Sequence, residues 1–98
     1  MEDVPKDWGG FVDSMGLEWV DNDVTRAISG LVLDRDIATA IWGCLREGAV
    51  EWLYYEVPIL KRRRPIDLLK TERGRGEIRW VLISNPWWSA MGKRNEFN

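Results

Sequence analysis

Apolar residues recur at helical spacing along most of the chain. In "KDWGGFVDSMG" Trp8, Phe11, Val12 and Met15 fall on one face, and Gly16 is a natural stop. The Gly9-Gly10 pair weakens this short helix by up to about 1 kcal/mol per glycine. A second helix is expected over "DNDVTRAISGL", with Asp21 or Asp23 as its cap and Val24, Ala27, Ile28 and Leu31 on a shared face. The third helix has the clearest pattern. Ile37, Ala38, Ile41, Trp42 and Leu45 repeat through "RDIATAIWGCLREG", with Asp34 placed to cap the start and Gly48 placed just past the end.

"AVEWLYYEV" reads as a short helix, with an extended segment as the alternative, and Trp52, Leu53 and Tyr55 are expected to face inward. Val57-Pro58 breaks it, and "ILKRRR" becomes a loop anchored by Leu60. Pro65 suits the first position of a helix that offers Ile66, Leu68 and Leu69 to a core. Thr71 is expected to cap the last main helix, although Gly74 stands where a capping box needs Glu or Gln. Ile78, Val81 and Leu82 share one helical face, a strand being the alternative, and Asn85-Pro86 ends the element. There is no internal repeat. The expected fold is all-α: a small bundle of four to six short helices, with a dimer as an option, packed around Trp42, Trp52, Leu53, Leu60, Leu68, Leu69, Ile78 and Leu82.

Size narrows this further. The chain has 98 residues, room for one small domain. A domain of this length buries roughly 60–65% of its unfolded surface, so self-association is a natural route to extra stability. Seven tryptophans point to a dense core or to a core plus an adhesive surface. The formal charge is −2, from 14 basic and 16 acidic residues, which provides no global field to draw the chain onto nucleic acid. The single cysteine cannot form an internal disulfide and fits a reducing, cytoplasmic setting. No apolar run approaches the roughly 18 residues of a membrane span, and the acidic N-terminus is unlike a signal peptide.

The residue types argue against catalysis. Without histidine there is no Ser-His-Asp triad, Cys-His dyad or His-based metal site, and one cysteine cannot make a zinc cluster. Cys44 reads as a small buried residue rather than a nucleophile. Asp34 and Asp36 read as a helix start rather than an acid–base pair, and no phosphate-cradling glycine motif is present. No enzyme activity, metal or cofactor is expected.

The run Lys61 to Arg64 could be a solvated loop, a protein contact or a nucleic-acid contact. Asp67, Glu72 and Glu77 interleave with the basic residues Lys70, Arg73, Arg75 and Arg79 downstream, which suits local pairing better than phosphate binding.

The order of residues says more. "WLYYEVPILKRRRPIDLLKTERGRGEIRWVL" resembles the toxin-binding domain at the C-terminus of Xre/MbcA/ParS-type antitoxins. Trp52-Leu53 match that family's opening pair, and Pro58 and Leu60 match its turn. Pro65, Ile66, Leu68 and Leu69 match the middle helix, Thr71, Glu72 and Gly74 the next element, and Ile78, Val81 and Leu82 the last helix. Ala40 to Leu45, with Gly48, look like the helix that precedes these. The likeness covers about residues 37–83. It departs in two places: Lys61 and Arg62 stand where the family usually has a glycine pair, and the tail after Ile83 is Trp-rich without a short Gly-containing ending.

The resemblance implies an N-terminal helical segment over 1–36, a toxin-binding-like domain over 37–84 and a C-terminal tail over 85–98. It also implies binding: an antitoxin that neutralises a partner toxin, a RES-domain protein that consumes NAD, by covering its active site. The candidate partner-binding residues are Arg62, Arg63 and Arg64 on the loop and Trp87, Trp88, Lys93 and Arg94 on the tail, with Trp87 and Trp88 as caps of the core the alternative. The partner is the cognate toxin protein, in a heterocomplex or with self-association. Two alternatives stay open: a DNA-binding autorepressor built on a remnant helix-turn-helix at 24–42, and a stand-alone homodimeric interaction domain. In each of these the first two helices could equally serve only to complete the core.

Overall fold

The computed structural model describes residues 5–84, and over these the chain is an all-helical bundle. Its elements are α1 (Trp8–Gly16), α2 (Asp23–Leu31), α3 (Arg35–Leu45), α4 (Ala49–Leu53), the single-turn α5 (Pro65–Leu68) and α6 (Glu72–Ser84). Tight 3-10 turns at Arg46–Gly48 and Pro58–Leu60 precede α4 and α5. The segments with β-branched and aromatic content at 49–53 and 77–83 are helical, because their buried residues fall at helical spacing and not on alternate positions. No described helix is long and apolar enough to cross a membrane.

α3 is the centre. Ile37, Ala38, Thr39, Ala40, Ile41, Trp42 and Leu45 are all buried, and α1, α2, α4 and α6 pack against it. Trp8, Ile28, Trp52, Leu53, Leu60, Ile78 and Leu82 join the same apolar cluster. The N-terminal helices therefore share one core with residues 37–84. Full burial of each such side chain contributes about 1.5–3 kcal/mol. Of the expected core, Leu69 is only half-buried. The tryptophans divide: Trp8, Trp42 and Trp52 are buried, Trp19 is partly covered, and Trp80 is 54% exposed.

Several local expectations change. α2 is capped by Asn22, not by Asp21 or Asp23. The Asn22 side chain accepts from Thr25 N at 2.8 Å, and the Thr25 hydroxyl accepts from Asn22 N at 2.9 Å. Asp21 and Asp23 instead reach Arg26. Asp34 precedes α3 but its side chain makes no cap bond; it turns to Arg79 and Arg75. Ala27 is exposed, not on the buried face. α3 does not end on Gly48: the chain reverses at Arg46, with φ 50°, and Gly48 closes the following 3-10 turn. The Arg46 side chain bonds Glu18 at 2.9 Å and lies over the Trp42 ring. Tyr55, expected inward, is 44% exposed, because helix α4 ends at Leu53 and the chain turns away.

Candidate protein-interaction site

The site grows from the segment between α4 and α6. Val57 and Leu60 plug its base into the core, with Val57 wholly buried. Between them and Pro65 the chain doubles back on itself. Arg62 N donates to Val57 O at 2.9 Å, Arg63 N to Leu60 O at 3.2 Å, and Val57 N to Arg63 O at 3.2 Å. The two residues at the tip, Lys61 and Arg62, have φ of 60° and 63°. Two successive positive φ values are the pattern of a type I′ turn, which favours Asn-Gly because a Cβ crowds the backbone there. Left-handed backbone costs a residue with a side chain about 1–2 kcal/mol.

The run continues into α5 with the chain extended at Arg64 and Pro65 in the first turn, where its missing N–H is harmless. Thr71 then caps α6: its hydroxyl accepts from Gly74 N at 2.9 Å. A Cβ at Gly74 would fall on the Leu68 carbonyl, so glycine is what lets α6 close onto α5. Thr71 and Gly74 therefore have separate structural jobs three residues apart.

The four cations of the turn are not equivalent. Arg63 donates to Glu77 at 2.7 Å and to Leu60 O at 2.8 Å. Arg64 makes a two-pronged bond to Asp67 at 2.9 and 3.1 Å and lies over the Tyr54 ring. That bond raises Arg64 above its usual range and holds the Asp67 carboxyl below its own. Among the described residues, Lys61 and Arg62 are exposed side chains that pair with no carboxylate. The turn separates two shallow depressions. Lys61, Arg63 and Arg73 border one, above Thr71 and Gly74. Tyr54, Tyr55, Glu56, Arg62 and Arg64 border the other. Tyr54, Tyr55 and Ile59 are 47%, 44% and 53% exposed and give this side of the molecule an apolar component.

Of the expected binding residues, Arg62, Arg63 and Arg64 are indeed exposed together, but two of the three are engaged internally. Trp87, Trp88, Lys93 and Arg94 lie outside the described residues. Sequence reasoning counts Lys61 in the basic run but not among the binding residues, and it misses the Tyr54/Tyr55 pair; the available signal was that Trp52 and Leu53 already fill the inward positions of so short a helix.

Elsewhere, titratable groups have structural roles. Burial pushes the Cys44 thiol up to about 12, and its Sγ sits 3.9 Å from Leu82 O. Asp34 and Asp36 serve as acceptors for Arg75 and Arg79, which have 29% and 13% side-chain exposure. None of these groups lines either depression at the basic turn.

Set against protein-family models, curated proteins and solved structures, the chain matches none of them.

Proposed function

We propose that this chain is an antitoxin-type binding protein that captures and neutralises a partner toxin, of the RES-domain class, by covering its active site. One observation carries the reading. Lys61 and Arg62, at the two places where the resembled family usually has glycines, both take the left-handed backbone that glycine adopts without cost. The departure in residue type is thus not a departure in the backbone the position asks for. The capping by Thr71 and the close approach at Gly74 support the same reading, since they give the Thr-Glu-x-Gly element a physical reason for its spacing. The site works by surface complementarity, and no catalytic step is assigned to it.

The autorepressor reading has less to stand on. In the α2–α3 pair the second helix would have to enter a DNA groove, yet α3 buries seven of its eleven residues in the core.

The reading predicts a RES-domain toxin in a neighbouring reading frame, and the test is co-expression with that toxin. Restored growth, together with a complex that survives two purification steps, is the expected result. Growth arrest that persists while this chain is folded and abundant would reject the function.

A further inference from the structure

We propose that Lys61 and Arg62 are the electrostatic anchor of a docking face, and that its partner is an acidic protein surface that also presents apolar or aromatic side chains. This deepens the function proposed above and rests on it only for the identity of the natural partner.

The first ground is the backbone. A turn with two successive left-handed residues is most stable with glycine or asparagine at its tip, yet this one carries two long cations. Backbone held in a sparsely populated region is a pointer to function when the side chains have no structural duty. Lys61 and Arg62 have none: both are exposed, and among the described residues neither is paired with a carboxylate. Their neighbours Arg63 and Arg64, by contrast, are taken up by Glu77 and Asp67.

The second ground is the company they keep. Tyr54, Tyr55 and Ile59 are exposed on the segment leading into the turn. Tyrosine and arginine dominate the energetic centres of protein interfaces. The turn itself is well held, with Val57 and Leu60 buried beneath it and three backbone bonds across it, so little order has to be gained on binding.

Charge decides between a protein and a nucleic acid. The chain is net negative, Glu56 lies in the same depression as Arg62, and Glu77 and Asp67 neutralise half of the basic run. Two free cations beside the exposed Tyr54, Tyr55 and Ile59 suit a carboxylate-bearing surface with matching apolar groups. A phosphate backbone would instead reward an unbroken basic stripe.

The experiment uses the full chain and a labelled random copolymer of glutamate and tyrosine, with polyglutamate and duplex DNA as comparison probes. The variant K61G/R62G keeps the backbone the turn needs and removes both cations. The control K6A/R26A removes the same formal charge from exposed positions elsewhere. Binding of the wild type should be strongest to the copolymer. It should fall about tenfold or more in K61G/R62G, equal to about 1.4 kcal/mol, and stay within about twofold in K6A/R26A. The melting temperature of K61G/R62G should be no lower than that of the wild type, which separates lost contact from lost fold. Equal weakening in both variants, no copolymer binding by the wild type, or tighter binding to DNA at the same salt would each overturn the proposal. Toxin capture that persists in K61G/R62G overturns the anchor while leaving the antitoxin function intact. Copolymer binding that depends on the turn, in a chain that neutralises no toxin, supports the anchor and rejects only the antitoxin function.

Discussion

The indole N–H of Trp8 donates to Oδ2 of Asp36 at 2.8 Å, across 28 positions of sequence. The same oxygen accepts from Arg79 Nε at 3.0 Å, and Arg79 Nη2 reaches Asp34 at 3.1 Å. One carboxylate thus ties α1, α3 and α6 together. Asp36→Ala would leave the largely buried Arg79 with one acceptor fewer and Trp8 with none. Breaking a fully buried pair costs about 3–5 kcal/mol. Asp36 is about a third exposed, so a loss nearer 2 kcal/mol is expected. Asp34→Ala should cost less, because Arg79 keeps Asp36 and Arg75 keeps its bond to Leu69 O. Urea denaturation of both variants measures the difference, and equal losses would contradict the shared-oxygen arrangement.

Acid should weaken the same junction. Burial alone would raise the Asp36 carboxyl, but hydrogen bonds from Arg79, Trp8 and the Ile37 amide, together with the Arg79 charge, outweigh it and hold the group below its ordinary 3.8. The folded form therefore binds the proton less readily than the unfolded form. Its stabilising contribution is complete above 3.8 and is lost as pH falls through the lower folded value. The urea midpoint of the wild type should drop steeply below about pH 4, and Asp36→Asn should show a shallower drop from a lower plateau. Asp67 acts in the same direction but is solvent-exposed, so salt should screen its share.

Glycines in this chain are of two kinds. A Cβ at Gly74 would meet the Leu68 carbonyl, whereas at Gly9 and Gly10 it would meet nothing within 4 Å. Gly74→Ala must force α5 and α6 apart and should cost about 1–3 kcal/mol. Gly9→Ala or Gly10→Ala, inside helix α1, should stabilise by about 0.5–1 kcal/mol. Thermal melts of the three variants settle the ranking, and a tolerated alanine at 74 would refute the close approach.

Cys44 should be slow to react. Its thiol is raised from 9.0 to about 12 by burial, so at pH 8 the thiolate fraction is lower by up to about a thousandfold than for a free cysteine. Labelling with a disulfide reagent should be slow in the native protein and fast in denaturant. The raised value also means that stability declines as pH climbs from 9.0 towards 12, since the unfolded thiol gives up its proton first. Rapid native labelling would show that the thiol is more open than its burial suggests.

The tail over 85–98 carries Trp87, Trp88, Lys93 and Arg94, which the proposed function assigns to partner binding. Under the proposed capture, deleting these residues should weaken rescue from a co-expressed RES-domain toxin, measured at equal amounts of folded protein. Full rescue by the shortened chain would remove the tail from the mechanism.

The bundle itself was legible from local pattern. Period-3.6 spacing marked α3 and α6 through Ile37, Ile41, Trp42, Ile78 and Leu82, and the breakers at Val57-Pro58 and Pro65 marked the turns between them. Thr71 as a cap could be read from residue type and position alone, because a cap bond spans only three residues. The candidate site was legible in part: an exposed basic run was expected and found, but the outward turn of Tyr55 was not anticipated.

What the sequence by itself determined about this protein is which face of most of its helices is apolar, since that follows from the geometry of neighbouring residues. Only the tertiary structure decided what the charged groups do. Asp34 and Asp36 look like helix-start residues until Arg79 arrives from 45 and 43 positions away. Arg63 looks as free as Arg62 until folding brings Glu77 within 2.7 Å. The reason is physical: an ion pair between distant segments depends on where they close, and no local spacing records that distance.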